Sequence, residues 1–572
     1  MPQFSLPRLA PGFSSAKRLD RRHEFSFSSL VTFLLRVSVA SFGLLHPNVA
    51  ALQNQGKAQL LRAKADITKA ASLQAPAALV APAGSEVYVA QRGESIPSVA
   101  RKNLKRTKYL TSNELAEAIR ESNRNRQGIF LRAGEQIIIP GILDAPIVEK
   151  SVPVARDFEV RAIYLTGVMA GSEHGERIIR HWREVGGNAV VFDIKDSDGI
   201  INIAFDHPLA TGQKHYISDL PKLIRFLHSQ NMHAIARIAI FRDEHLVTTH
   251  PELAIKSRKT GQPWRENGKL VWTDPSNPTV QDYDIALAKF VSQQGVDEVQ
   301  FDYVRFPAEG DQKDAQFAYQ ANLPSAGAVV TPVADPPADA LATADEAKKD
   351  ESKKDEAKKN GEKKKHGVAV HQSKSQPHEM QRSDVIANFL DRAYAQIHPS
   401  GVLLSLDVFG IMAWQRPVDL SHTGQDIVAM AKHCDVLSPM IYPSHFFGMD
   451  GIAHPGDAPE HFIGESMERF RAITKDSGVV LRPWLQAFAW RTKTYSPQYV
   501  EIQIEVAKQK GGVGFLFWNA NNDYSKPYTA MPEMKTAKNR YFRGDEVGVK
   551  SVAQANSIGA GEAPALDGSA KH

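Results

Sequence analysis

Eight short apolar segments alternate with amphipathic stretches between residues 158 and 543, and that alternation constrains the fold more than any other feature of the chain. The segments lie at 160–167, 188–195, 233–241, 298–306, 402–409, 435–442, 480–488 and 512–518. Near-continuous apolar runs of this length fit strands covered on both faces, as in a parallel sheet flanked by helices. The stretches at 176–185, 217–229, 280–294, 384–397, 425–433, 458–475 and 497–510 repeat apolar residues three and four apart, as Leu220, Leu223, Ile224 and Leu227 do. Gly186, Asn231, Gly295, Gly478 and Gly511 stand where helices would close, a left-handed position that Gly and Asn accept most readily. The pattern predicts an α/β chain folded as a (β/α)8 TIM barrel. An open doubly wound sheet is the alternative, but no Gly-rich phosphate loop follows the first strand.

The rest of the 572 residues divides by composition. Lys17, Arg18, Arg21 and Arg22 precede an apolar run over 30–45 that ends near Asn48-Val49-Ala50-Ala51, so residues 1–51 read as a signal-like segment. It predicts export to the periplasm or beyond, with membrane contact confined to this segment. The run is short for a span and carries Arg36. Residues 52–84, rich in Ala, Gln, Lys and Pro, read as a linker. Residues 308–380 pass from Ala, Pro and Asp into a Lys- and Glu-rich run and read as a disordered, low-complexity charged insert. The Gly-, Ala- and Ser-rich tail 547–572 reads the same way. Basic and acidic residues number 69 and 64, a net charge of +5, which argues against nucleic acid as the partner. The single cysteine, Cys434, excludes an intrachain disulfide and a cysteine-based metal site.

Residues 86–141 form a small unit of their own. It runs from Glu86-Val87-Tyr88-Val89 through Gly93-Glu94-Ser95 into a helical stretch, then a second helix, then Gly134-Glu135-Gln136-Ile137-Ile138-Ile139-Pro140. This resembles a LysM module, in which two helices pack on a two-stranded sheet. The resemblance implies binding of glycans that contain N-acetylglucosamine.

In a (β/α)8 barrel the C-terminal strand ends converge on the active site. Here they carry unusual chemistry: Asp193 in Phe192-Asp193-Ile194-Lys195-Asp196, then Arg237, then Asp302, Tyr303 and Arg305 in Asp297-Glu298-Val299-Gln300-Phe301-Asp302-Tyr303-Val304-Arg305-Phe306-Pro307. Later strands end in Asp407, Tyr442, Trp484 with Gln486, and Trp518 with Asn519. Unpaired charge in a strand interior is costly, so these side chains are either paired or reactive. Carboxylates facing a pocket rimmed by aromatic rings suit carbohydrate, because rings stack on sugars and polar groups hold hydroxyls. Glycoside hydrolysis needs two carboxyl groups, one as acid and one as nucleophile or base, and Asp302, Asp193 and Asp407 are the candidates. Arg237 and Arg305 would keep one of them ionised. Arg237, Tyr303, Arg305, Tyr442, Trp484, Gln486, Trp518 and Asn519 are the candidate substrate contacts. Asp196 and Asp198 sit in a Ser-Asp-Gly turn and read as loop-shaping residues.

These strand-end motifs, with Ser405-Leu406-Asp407-Val408-Phe409-Gly410, Ser438-Pro439-Met440-Ile441-Tyr442-Pro443, Arg482-Pro483-Trp484-Leu485-Gln486 and Phe517-Trp518-Asn519-Ala520, resemble a glycoside hydrolase family of uncharacterised bacterial barrel proteins. The resemblance covers most of 158–543 and implies a barrel that cleaves glycosidic bonds. The fourth-strand motif is also similar to that of exported bacterial glycosidases acting on N-acetylglucosamine polymers. Those carry a second Asp where this chain has Tyr303.

The sequence thus points to an exported glycoside hydrolase acting on a polysaccharide or peptidoglycan-type glycan, with no cofactor and no metal. His207, His245, His422 and His445 show no paired ligand spacing, and no nucleophile-elbow serine or Walker loop is present. The rival is a glycan-binding or envelope scaffold protein on the same barrel. A metal-dependent deacetylase or lyase, with an ion between Asp193 and Asp196, is the third reading.

Overall fold

The computed structural model describes residues 79–152, 154–322 and 380–536. The signal-like segment, most of the linker, most of the charged insert, residues 537–543 and the tail lie outside the described residues. The chain divides into two compact units, one holding residues up to Ala100 with Ala116–Ile142, the other Arg101–Leu115 with the chain from Leu143.

The N-terminal region runs in the order read from the sequence: strand β1 (Ser85–Val89), helix α1 (Ile96–Asn103), helix α2 (Ser112–Ser122) and strand β2 (Gln136–Pro140). Strands β1 and β2 pair antiparallel, with Ser85 opposite Pro140 and Val89 opposite Gln136. The turn into α1 is built locally. Gly93 takes φ of 86°, and the Glu94 carboxylate accepts from the Gln91 N–H at 2.8 Å and the Tyr88 hydroxyl at 2.8 Å.

In the second unit, eight parallel strands close on themselves: β3 (Val160–Leu165), β4 (Ala189–Lys195), β5 (His233–Ala239), β6 (Glu298–Asp302), β7 (Leu403–Phe409), β8 (Val436–Ile441), β9 (Val480–Leu481 and Trp484–Gln486) and β10 (Gly514–Trp518). Each pairs with the next, and β10 pairs back onto β3, with Gly514 opposite Val160. This closure excludes the open sheet. Strand β9 breaks at Arg482-Pro483, opposite Ser438-Pro439 of β8, where neither proline has an N–H to give the ladder.

Helices α3 (Glu173–Glu184), α4 (Leu220–Ser229), α5 (Pro278–Ser292), α6 (Arg382–Ile397), α7 (Pro459–Ile473) and α8 (Pro497–Gln509) fill connections between strands. Gly186, Asn231, Gly295, Gly478 and Gly511 all take positive φ, so the five sequence-read positions are left-handed closures. The stretch 425–433 is a four-residue helix, Ile427–Met430, followed by a 3-10 turn, not one long helix.

Residues 308–322, expected within the insert, are folded. Ala315–Gln316 pairs antiparallel with Lys256–Ser257, Ala318 donates to the Asp274 carboxylate at 2.6 Å, and Phe317 packs edge-on to Phe306. The buried Ala315 and Phe317 hold this stretch, a signal hidden by its Pro- and Asp-rich surroundings. Among the described residues no helix is long and apolar enough to cross a membrane.

Candidate active site

Side chains at every second position of a barrel strand point inward. On β6 this sends Glu298, Gln300 and Asp302 into the barrel, with Glu298 and Asp302 about 13 Å apart along the strand at ~3.3 Å per residue. Asp302 therefore belongs to the layer at the strand ends, and β4, β5 and β7 bring Asp193, Arg237 and Asp407 to it.

Arg237 is the centre of that layer. Its Nη1 donates to Asp193 Oδ1 at 2.5 Å and its Nη2 to Asp302 Oδ2 at 2.5 Å, while Nε lies 3.9 Å from Asp407 Oδ2. The fork geometry of a guanidinium allows one cation to hold two carboxylates at fixed angles. Each carboxylate also has a partner of its own. The Tyr164 hydroxyl donates to Asp193 Oδ2 at 2.5 Å, the Trp484 indole N–H to Asp407 Oδ1 at 2.6 Å, and the Tyr303 backbone N–H to Asp302 Oδ1 at 2.6 Å. Accessibility separates the three: the side chain of Asp302 is 10% exposed, against 2% for Asp193 and 1% for Asp407.

One buried cation cannot balance three buried acids. Burial raises the pKa of Asp193, and the pull of Arg237 only partly offsets it. Burial and the neighbouring Asp302 push Asp407 well above the usual carboxylate range. Tyr442, at the end of β8, is likewise pushed up by burial and by the charges of Asp407 and Asp302, so its phenol keeps its proton.

Tyr303 leaves the strand in the left-handed region, with φ of 53°, a backbone state uncommon for a bulky residue and a form of strain that concentrates at functional sites. Arg242 Nη1 donates to its hydroxyl at 3.0 Å, and Tyr303 lines the cavity beside Asp193 and Arg237.

Strand β4 ends in a second device. Simple alternation would put Lys195 on the same face as Asp193. A bulge lies between them, so that Asp193 faces Arg237 and Lys195 faces Ile238. Lys195 thereby turns out of the barrel and donates to Asp284 of α5 at 2.6 Å, Asp243 at 3.1 Å and the Ile240 carbonyl at 3.0 Å. The turn that follows is pinned: Asp196 Oδ1 accepts from the Asp198 and Ile200 N–H groups, each at 3.0 Å. Asp196 Oδ2 takes no hydrogen bond from the described residues. Burial raises this carboxyl to about 6.

A cavity of ≈170 Å³ opens here, lined by Tyr164, Thr166, Asp193, Asp196, Arg237 and Trp518 among others. Trp518 stacks on Tyr164 with ring centroids 4.1 Å apart, and the Arg237 guanidinium lies 5.4 Å from the Trp518 ring.

The sequence-read residues therefore sort themselves. Asp193, Asp302, Asp407, Arg237, Tyr303, Tyr442, Trp484 and Trp518 converge. Trp484 does so as the buried partner of Asp407, with no open face at 1% exposure. Arg305 makes no ion pair with Asp302. Its guanidinium sits over Phe409 at 4.2 Å and Trp272 at 4.6 Å and donates to the Phe306 carbonyl at 3.0 Å. Gln486 and Asn519 are buried and spent on loops. Gln486 bridges Ser444, the Phe488 carbonyl and Thr492, and Asn519 donates to the Ala487 and Asp523 carbonyls. Sequence reading passed over Asp196 as a cavity residue, because a Ser-Asp-Gly turn gives no sign of which carboxylate oxygen stays free.

Residues 162–524 match the family described as "Putative glycosyl hydrolase domain". No curated protein matches the chain. Among solved structures, a hypothetical protein from Ruminiclostridium thermocellum is 28% identical over 43% of this chain and 97% of its own, with a TM-score of 0.30. The PgaB (BpsB) glycoside hydrolase domain from Bordetella bronchiseptica is 12% identical over 66% of this chain and 99% of its own, with a TM-score of 0.45. The spore cortex-lytic enzyme SleL from Bacillus megaterium is 11% identical over 79% of this chain and 87% of its own, with a TM-score of 0.33.

Proposed function

The chain belongs to this glycosyl hydrolase domain family, and from that premise we propose that it is an exported enzyme that hydrolyses a cell-envelope or extracellular polysaccharide. The observation that carries the reading is the convergence of Asp193, Asp302 and Asp407 on Arg237 at the strand ends, beside a cavity that Asp196 also lines.

Hydrolysis needs a carboxylate to attack the anomeric carbon, or to deprotonate the water that does, and an acid to protonate the departing oxygen. Asp302 takes the first role, as the most exposed of the three carboxylates around Arg237. Asp196 takes the second. It lines the cavity, is tied to the turn through one oxygen only, and holds its proton up to about pH 6. Asp193 and Asp407 set the charge around Asp302, and the Arg237 fork fixes its orientation. The N-terminal unit, read as LysM-like, would hold the enzyme on N-acetylglucosamine-containing glycan.

The test is release of reducing ends from fractionated envelope polysaccharides. Wild type releases them, and Asp302→Asn, which keeps the shape of the side chain, falls by roughly 10²–10⁴-fold. Equal release by a folded Asp302→Asn protein sinks the assignment. A binding-only barrel is the second reading, favoured by how fully Asp193 and Asp407 are engaged. It predicts glycan retention with no reducing ends from either protein.

A further inference from the structure

A line of aromatic rings leads away from the carboxylates on the loops that follow β8 and β9. Tyr442, whose phenol feels the charges of Asp407 and Asp302, starts it. Its ring lies 5.6 Å from Phe488 and 5.5 Å from His445. His445 is 4.9 Å from Trp490, and Trp490 is 5.7 Å from Phe447. Tyr442, Phe488, His445 and Trp490 are half-buried, and Phe447 at the outer end is 38% exposed. Exposed aromatic carbon held next to a candidate catalytic layer is what a sugar ring would cover.

The line ends in a cation. The Arg491 guanidinium lies 4.0 Å from the Phe447 ring and 4.6 Å from that of Trp490, and the residue is exposed. Among the described residues it makes no hydrogen bond and no ion pair. Its backbone has φ of 51°, so a left-handed turn aims it. Two rings thus hold an exposed arginine whose donors are unused among the described residues, an arrangement that suits a planar carboxylate.

The support beneath is built and rigid. Asp457 Oδ1 accepts from the Lys493 N–H at 2.7 Å and from Thr494, and the Tyr499 hydroxyl donates to the Gly456 carbonyl at 2.9 Å. A Cβ on Gly456 would meet the Arg491 carbonyl at 2.2 Å, so the two loops touch where only glycine fits. Gln486 ties Ser444 to Thr492 from below.

We propose that Tyr442, Phe488, His445, Trp490, Phe447 and Arg491 form a second sugar subsite that receives an acidic sugar, one bearing a carboxylate, of the polysaccharide the barrel acts on. The inference deepens the hydrolase reading by naming a substrate class, uronate-type polymers, and rests on that reading for its relation to the chemistry.

The experiment is affinity electrophoresis of the full chain through gels containing polygalacturonate, alginate or neutral hydroxyethylcellulose, with reducing-end release measured in parallel. Wild type is retarded by the two uronate polymers and less by the neutral one. Arg491→Gln weakens uronate binding about tenfold, the scale of one lost charge-assisted hydrogen bond, and leaves the weak neutral binding in place. Trp490→Ala weakens both. Thermal melting confirms that each variant is folded. Wild type that passes the uronate gels unretarded overturns the subsite, and so does unchanged retardation in both variants. Loss in Trp490→Ala alone overturns the acidic class. Reducing ends released without uronate binding leave the hydrolase reading standing while this inference falls. Variant-sensitive uronate retardation with no reducing ends from any polymer does the opposite.

Discussion

Two buried guanidinium groups stand in the same barrel interior and serve different numbers of acids. At the floor, Arg482 Nη1 donates to both oxygens of Glu298, at 3.0 and 2.8 Å, and His233 Nε2 meets the same carboxylate at 3.0 Å. At the strand ends Arg237 faces Asp193, Asp302 and Asp407. The floor is matched, one cation to one acid. Burial would raise Glu298, but Arg482 and His233 hold it down to about 2, and both Glu298 and Arg482 are sealed from solvent at 0% exposure. The upper layer is unmatched, and Asp193 and Asp407 are pushed up instead. Strand β6 carries an acid of each layer, Glu298 and Asp302, four residues apart. Identical chemical types thus become a structural tie where charge balances and a layer of raised carboxyls where it does not.

Removing each cation in turn tests that contrast. Arg237→Met strips three carboxylates of the one cation that pairs with them among the described residues. It destabilises the fold by roughly 3–5 kcal/mol in urea unfolding and abolishes reducing-end release. Wild-type stability would show that the upper acids are already neutral and the contrast false. Arg482→Met also costs roughly 3–5 kcal/mol, because it leaves the sealed Glu298 without its guanidinium, and leaves kcat of the folded protein unchanged. Its signature is in acid. Glu298 is depressed from 4.5 to about 2, so its stabilisation is complete above pH 4.5 and is lost as pH falls toward 2. In Arg482→Met the guanidinium no longer depresses Glu298, so that acid-induced loss shrinks, as melting temperature against pH would record. A fall in kcat would mean that the floor is coupled to the chemistry.

The barrel was legible because its signals are local and repeated. Apolar runs, three-and-four spacing and left-handed helix closures at Gly186, Asn231, Gly295, Gly478 and Gly511 each depend on a few neighbouring residues. Convergence of Asp193, Arg237, Asp302 and Asp407 followed from the fold itself, since barrel strands end in one place. The sense in which each residue faces was not legible. The bulge that turns Lys195 outward to Asp284 and the positive φ at Tyr303 both break the period-two rule. Gln486 and Asn519 were read as sugar contacts because they end strands, yet their amides are consumed by loop carbonyls that no sequence pattern places beside them. The folded excursion after β5, where Trp264 and Trp272 are buried, lacks any periodicity to announce it.

The smallest effect sharpens the contrast most, because it concerns a carboxyl with no cation at all. Asp196 is raised from 3.8 to about 6 by burial, against the hydrogen bonds from Ile200 and Asp198 that favour its ionised form. A group whose folded pKa is raised stabilises the fold fully below its unfolded value, here about pH 4, and that stabilisation is lost as pH rises through 6. Asp196→Asn keeps the oxygen that accepts from Asp198 and Ile200 but cannot ionise. The melting temperature of wild type should therefore fall relative to the variant between pH 4 and 6, by an amount equivalent to on the order of 2 kcal/mol, and run parallel to it above. If Asp196 is the proposed acid, wild-type kcat/KM should decline above about pH 6, and the same substitution should remove that decline at a much reduced rate throughout. Parallel melting curves across the whole range would mean that Asp196 is ionised in the fold, and the acid role would then pass to another group. A stability difference without any change in the rate profile would leave Asp196 as a buried turn residue and return the search for the acid to the Arg237 layer.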